Sequence, residues 1–375
     1  MAHCSTLMGQ LLQLIPRHVF DHLVNSHAWQ GPQPRKFTYW SHLVAMLFGQ
    51  WSSRKSLRDV VFSVNRQAHK LYHLGLSQIT RSTLADANQQ RPAIIFEKTY
   101  YKLYERLSTE LAPQPHKAPQ IKIIDATTID LCAAVFPWAK FRTRKGAIKL
   151  HTVLTGLLPQ CVLVTDGKTH DLQAVQGLRF QPGDLLIFDR AYLDYAWLYQ
   201  LHQGTVWFVT RLKSNSCYEV IQGQSASGPV LGDQIIRLSS PKGRACYPEP
   251  LRRVHYRDPE TAREYVFLTN RLDLSALEVA ELYRRRWQVE LFFKWIKQNL
   301  KIKAFYGTSK NAVLIQIWTA LIAYLLLIWL KFKTKAGWGL LELTRLAQTM
   351  LLERMDLWAL LGLRPPDNRQ PLLFN

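Results

Sequence analysis

Acidic residues are scarce in this sequence. Its 375 residues hold 27 Asp and Glu against 48 Lys and Arg, a formal net charge of +21. That imbalance exceeds what solubility requires and draws polyanions, so nucleic acid or an anionic membrane is the expected partner. Cysteine is sparse as well. Cys4, Cys132, Cys161, Cys217 and Cys246 are odd in number and widely spaced, with no CxxC pair. Such spacing speaks against a disulfide framework or a thiolate zinc site and suits a reducing cytoplasm. The N-terminus lacks the continuous apolar run of a secretory signal, and no internal repeat is visible. What the chain does have is an apolar fraction of 47% and 12 Trp, enough for proper cores and against disorder.

One apolar run, "AVLIQIWTALIAYLLLIWL" (312–330), approaches membrane-span length. Gln316 interrupts it and a basic helix precedes it, so it reads as a helix buried on all sides of a protein core, with no membrane as partner.

Residues 1–111 read as an α-helical N-terminal domain. "SLRDVVFSVNRQAHKLY" (56–72) is amphipathic, "LGLSQ" makes a turn, and "TRSTLADANQQR" (80–91) follows with Thr80, Ser82 or Thr83 as N-cap. Helix, turn and polar helix can form a helix-turn-helix reader of a DNA major groove, or a plain helical hairpin. The Pro-rich stretch 112–120 is the best linker. Beyond it, short apolar runs bounded by Gly, Pro and Asp read as strands: 121–131, 147–158, 160–167, 184–192 and 205–213. Residues 172–178 and 193–203 suit short helices between them. The class is therefore α/β, with a core over 121–213 and 265–335. Residues 214–264, rich in Gly, Ser and Pro, look like a β-rich insertion. "YVFLTN" (265–270) returns to a strand, and 273–300 reads as one long helix that opens on a capping box of Ser275 and Glu278. An amphipathic stretch, 339–363, lies in the C-terminal segment 336–375 and is a candidate dimer interface.

The helix "ELYRRRWQVELFFKWIKQNL" (281–300) sets Glu290 among five cations. On a helical wheel Tyr283, Arg286, Glu290 and Lys297 share a wedge of roughly 60°. Leu282, Val289, Phe293, Ile296 and Leu300 form the apolar stripe beside it. Asp125 ends the apolar run "IKIID" and Asp189 ends "LLIFD". A carboxylate at the end of a buried strand is costly unless it is paired or holds a metal, and strand ends are where open α/β sheets place ligands. Two Asp and one Glu could converge into an all-oxygen site of the kind that suits Mg²⁺ or Mn²⁺. Asp130 would face the other side of its strand, while Asp166, Asp171, Asp184 and Asp194 sit where turn or helix capping is the expected role. Other residues with a second reading are the basic segment 137–151 as a phosphate contact, and Trp138, Trp207, Trp287 and Trp295 as stacking platforms for an unpaired base. His151 and His170 have the best surroundings among the histidines.

The spacing Tyr283-x2-Arg286-x3-Glu290-x6-Lys297, with Asp125 in "IDATTIDL", Asp189 in "FDRAY" and a β-rich insertion before the Glu helix, resembles the Tyr-Arg-Glu-Lys signature of the "insertion sequence four" group of bacterial DDE transposases. The resemblance covers roughly residues 120–330; Ala191 stands where the pattern leads one to expect Gly. It implies a mixed-sheet core of the RNase H-like, retroviral-integrase type. Asp125, Asp189 and Glu290 would then be the catalytic metal triad for two Mg²⁺ or Mn²⁺ ions. Tyr283, Arg286 and Lys297 would be DNA contacts, and Lys294 a plausible further one. The implied activity is cleavage at the element's terminal inverted repeats and transfer of the 3′-OH ends into target DNA, by a homodimer in a synaptic complex in the cytoplasm. Two alternatives stand beside it: a nuclease of the same fold without strand transfer, and a non-catalytic DNA-binding derivative.

Overall fold

The computed structural model describes residues 6–29, 34–111, 120–142, 145–300, 302, 305–333 and 337–354, without the side chains of 140–145. The linker proposed at 112–120 falls almost wholly outside these residues, as does the end of the 339–363 stretch. The chain forms two compact units, one of Met1–Pro113 with Trp295–Asn375 and one of Gln114–Lys294.

The first unit is helical: α1 (Leu7–Leu12), α2 (Arg17–His27), α3 (Tyr39–Trp51), α4 (Leu57–Arg66), α5 (Ala68–Leu71), α6 (Arg81–Gln90) and α7 (Ile94–Leu111). Its C-terminal part adds the end of a helix that starts in the other unit, then α13 (Lys310–Lys333) and α14 (Leu340–Met350). The apolar run at 312–330 lies within α13, buried along nearly its whole length and packed against α7, α3, α6 and α14. Length and composition alone would let it cross a membrane. A helix apolar all round finds its partners here in other helices, and α3, buried at every position, is one of them. Gln316 is buried too, and its Oε1 accepts from the Tyr306 backbone at 2.8 Å. Residues from Trp295 onward group with the N-terminal helices.

The helical hairpin is present, with α4 and α6 in contact. The Asn65 side chain holds both the N–H and the C=O of Ile79 at 2.9 Å, and Gly75, at φ 80°, turns the chain between them. Of the three N-cap candidates, Thr80 caps α6, accepting from Thr83 N at 3.1 Å. The 339–363 helix ends at Met350.

The second unit is built on β1 (Ile121–Cys132), β2 (Lys140–Arg142), β3 (Lys145–Thr155), β4 (Leu158–Asp166), α8 (Asp171–Gln176), β5 (Leu185–Phe188), α9 (Tyr195–Gln203), β6 (Trp207–Arg211), β7 (Tyr218–Gln224), β8 (Val230–Leu238), α10 (Pro241–Cys246), β9 (Leu251–Arg257), β10 (Glu264–Thr269), α11 (Ala276–Arg284) and α12 (Trp287–Asn299), the last of which runs into the helical unit. One ten-stranded mixed sheet has the order β2-β3-β1-β5-β6-β10-β9-β8-β7, with β4 on β3. β5 is parallel to β1 and to β6; the other pairs are antiparallel. The insertion at 214–264 is thus no separate body: its strands continue the core sheet through β10. On one face Ile124, Leu186, Phe188 and Phe208 bury against Trp197 and Leu198 of α9, each large apolar side chain contributing about 1.5–3 kcal/mol. α11 packs on β5, β6, β8, β9 and β10.

Two expectations are corrected. The single helix 273–300 breaks at Arg285–Arg286, where i→i+3 bonds (Arg286 N to Tyr283 O, Val289 N to Arg286 O) replace the α ladder. The capping box at Ser275 and Glu278 is formed as expected. Asp125 does not end its strand, because β1 runs on to Cys132 as the antiparallel partner of β3. What ends beside Asp125 is the parallel pairing with β5, which spans Ile121–Ile124 and Leu185–Phe188.

Lys122 and Asp184 make a 2.6 Å ion pair that is almost fully buried, and Asp184 also accepts from Gln181 N. Asp184 therefore does more than cap a turn. Removing one partner of such a pair strands a buried charge. Asp184→Ala should cost about 3–5 kcal/mol of unfolding free energy in urea titration, whereas Lys122→Met with Asp184→Leu should recover most of that loss.

Candidate active site

Asp125 and Asp189 reach neighbouring positions because β1 and β5 are parallel and in register up to Ile124 and Phe188. Asp189 follows β5 directly and its carboxylate accepts from Ala191 N, so the "FDRAY" turn fixes its direction. Asp125 accepts from Ala126 N at 2.8 Å. Glu290 comes from the first turn of α12. Arg286, at the break before that helix, joins two of the three: Nη1 donates to Asp125 at 3.2 Å and Nη2 to Glu290. Its Nε is buried with no partner among the described residues.

Burial is the largest influence on Asp125, raising its pKa from 3.8 to about 6, and the Asp189 and Glu290 carboxylates push the same way. Arg286 and the Ala126 N–H pull against them without prevailing. Three carboxylates against one guanidinium leave negative charge uncompensated in a poorly solvated place. An oxygen-seeking divalent cation fits such a donor set. Among the described residues, however, no three His, Cys, Asp or Glu side chains stand ready as a metal cage; Arg286 bridges two of the carboxylates.

Tyr283 is buried, its ring 4.9 Å from that of Phe267 and under the Arg286 guanidinium at 5.8 Å. Burial pushes its hydroxyl up to about 12, so it remains a hydrogen-bond donor. Tyr283 and Arg286 line a cavity of about 930 Å³ with Arg211, Tyr256, Tyr265 and Trp287. Trp287 is 57% exposed there. Arg211 stacks over Tyr265 at 5.3 Å; its strand position in "TVWFVTRLK" is the signal that could have marked it. Lys294 is exposed on α12, and Lys297 lies farther along that helix, within the helical unit. The structure thus brings Asp125, Asp189, Glu290, Arg286 and Tyr283 together.

The other candidates have other employment. Asp171 pairs with Lys149 of the 137–151 segment at 3.0 Å; residues 143–144 of the segment lie outside the described ones. His151 is buried and 3.7 Å from Asp171, with burial lowering its pKa to about 4, so it is neutral near pH 7. His170 and Asp194 cap α8 and α9. Trp207 lies under Arg271 at 5.3 Å, Trp138 against Phe136, and Trp295 against Tyr324. Tyr192 went unnoticed in the sequence. Its hydroxyl is buried without a partner among the described residues, and burial, then the Asp125, Asp171 and Asp189 carboxylates, raise its pKa.

An Asp whose folded pKa exceeds its unfolded value binds a proton in the native state that the unfolded chain has lost. Stability therefore declines as pH rises from about 4 to 6, and the cost stands in full above that window. Asp125→Asn should accordingly raise the melting temperature at pH 8 in a chelating buffer, with the gain vanishing near pH 4.

Comparison with known proteins gives a consistent result. The family described as "Transposase DDE domain" matches residues 116–326, and a domain of unknown function matches residues 3–77. A putative transposase of Sinorhizobium fredii is 34% identical over 300 residues, covering 77% of this chain and 82% of that protein. A probable insertion-sequence transposase of Geobacillus stearothermophilus is 29% identical over 269 residues, 70% of each. A putative insertion-sequence transposase of Synechocystis is 37% identical over 83 residues, 22% of this chain and 25% of that protein.

Proposed function

Because the chain belongs to the transposase DDE-domain family, we propose that Asp125, Asp189 and Glu290 are the metal ligands of its reaction and that Tyr283, Arg286, Lys294 and Lys297 contact DNA. The protein is an insertion-sequence DNA transposase and an enzyme. The fold this membership supports for the sheet around β1 and β5 is RNase H-like. The observation that carries the site is Arg286, which reaches Asp125, 161 residues away in sequence, and Glu290, four residues away.

Two Mg²⁺ or Mn²⁺ ions supply activation of the nucleophile and stabilisation of the leaving oxygen. The chain's own residues do the rest. Asp125, Asp189 and Glu290 offer oxygens from three elements of the second unit. Lys294 and Lys297 can act as point charges beside the backbone, the protonated Tyr283 hydroxyl can donate to a phosphate oxygen, and Arg286, whose two Nη groups hold Asp125 and Glu290, can fork onto a phosphate only by leaving them. The net charge of +21 concentrates duplex DNA around these residues.

The reaction is cut-and-paste: cleavage at the terminal inverted repeats frees 3′-OH ends, which attack phosphodiesters of target DNA. The enzyme works in the cytoplasm as a homodimer, since two element ends must be held at once. The N-terminal helices form the end-binding domain, with α6 presented to the major groove.

The test uses a supercoiled plasmid with the element's ends, millimolar Mg²⁺, and wild type beside Glu290→Gln. Metal-dependent cutting at the ends should fall by at least about 100-fold in the variant, the order seen when one group stabilising transition-state charge is lost. Ends that are cut yet never joined would indicate a nuclease. Binding without cutting in wild type would indicate a non-catalytic DNA-binding protein.

A further inference from the structure

The insertion holds a buried charge that the proposed reaction does not use. Arg252 of β9 is 2% exposed and Asp233 of β8 is 4% exposed. Arg252 forks onto Asp233, Nε to Oδ1 at 2.9 Å and Nη2 to Oδ2 at 2.7 Å. Its remaining nitrogen, Nη1, leaves the sheet and donates to the carbonyls of Leu272, at 3.4 Å, and Leu274. Leu274 immediately precedes Ser275, the N-cap of α11. From the other side Asn270 ties the same segment to β6, accepting from Phe208 N at 2.9 Å and donating to Val206 O at 3.0 Å.

The entry to α11 is therefore clamped on both sides, and α11 leads directly to Tyr283, Arg286 and Glu290. A buried ion pair contributes little net stability compared with an apolar replacement. What it supplies is geometry: a planar fork with every direction fixed, plus two carbonyl contacts that a lysine cannot make together.

The geometry points to Arg252 and Asp233 as positioning residues: through them the β-rich insertion sets the register of α11, which carries Tyr283 and leads through the break to Arg286 and Glu290, against β1, which carries Asp125, and the end of β5, which Asp189 follows. This rests on the reading of Asp125, Asp189 and Glu290 as the reacting site. It makes the insertion a mount for that site.

The test compares full-length wild type with Arg252→Lys, which keeps the charge and loses the fork, and with Asp233→Asn, which keeps an acceptor. Amide hydrogen exchange is followed at 276–290 and elsewhere, together with melting temperature, affinity for an end duplex and single-turnover cleavage. In Arg252→Lys, exchange at 276–290 should quicken about tenfold while the rest of the sheet keeps its protection. Cleavage should fall about 100-fold, the order expected of a small misplacement of catalytic groups, with affinity within about twofold of wild type. Asp233→Asn should lie between the two; it carries the test alone if Arg252→Lys does not fold. Unchanged exchange at 276–290 in a folded variant overturns the proposal. So does exchange that quickens across the whole unit in step with a lower melting temperature, which is the mark of a merely structural pair. Should wild type itself fail to cleave, the transposase site is wrong, and the exchange result still decides whether the clamp sets the helix.

Discussion

Carboxylates gathered where water is scarce repel one another, and only opposite charge or protonation relieves them. In this protein one guanidinium, Arg286, carries much of that burden, reaching Asp125 on a strand and Glu290 on a helix. It is not enough: burial still drives the Asp125 pKa up to about 6. The sheet, its insertion and the broken helix around it are the means of keeping this costly arrangement in place.

The break at Arg285–Arg286 lies beside this arrangement. An unbroken helix would have carried Tyr283 and Glu290 on one continuous wheel. The i→i+3 bonds at the junction instead let Arg286 turn onto two carboxylates while Tyr283 buries its ring against Phe267. The Ser275 capping box and the contacts of Arg252 and Asn270 secure the helix start, so the irregularity comes between two well-held segments. Natural proteins keep local departures of this kind where chemistry needs them and compensate nearby.

Much of the site was legible along the chain. An Asp at the end of each of two apolar runs, and a Glu flanked by Arg and Lys at helical spacing, are local signals. All of them fall within residues 116–326, the span of the family match. Asp125 was read as ending its strand, but that strand continues, and it is the parallel neighbour that stops. The partners of Asp171, Asp184 and Asp233 were not legible. Lys149, Lys122 and Arg252 lie between 19 and 62 residues away from them, and pairing across such distances is set by strand order, which no local pattern encodes.

The sequence by itself determined the elements: helices up to residue 111, then strands, a helix capped at Ser275, a helical stretch with Glu290 on its polar edge, and a helix at 312–330 too apolar to tolerate water on any side. Periodicity, capping and burial act within a few residues, so they can be read from neighbours alone. The tertiary structure decided which charges meet. It placed α13 among the N-terminal helices, extended the core sheet with the insertion, and set Arg286 across Asp125 and Glu290. Each of these depends on which surfaces remain to be buried once the elements exist, and burial of one surface against another is a property of the whole packing.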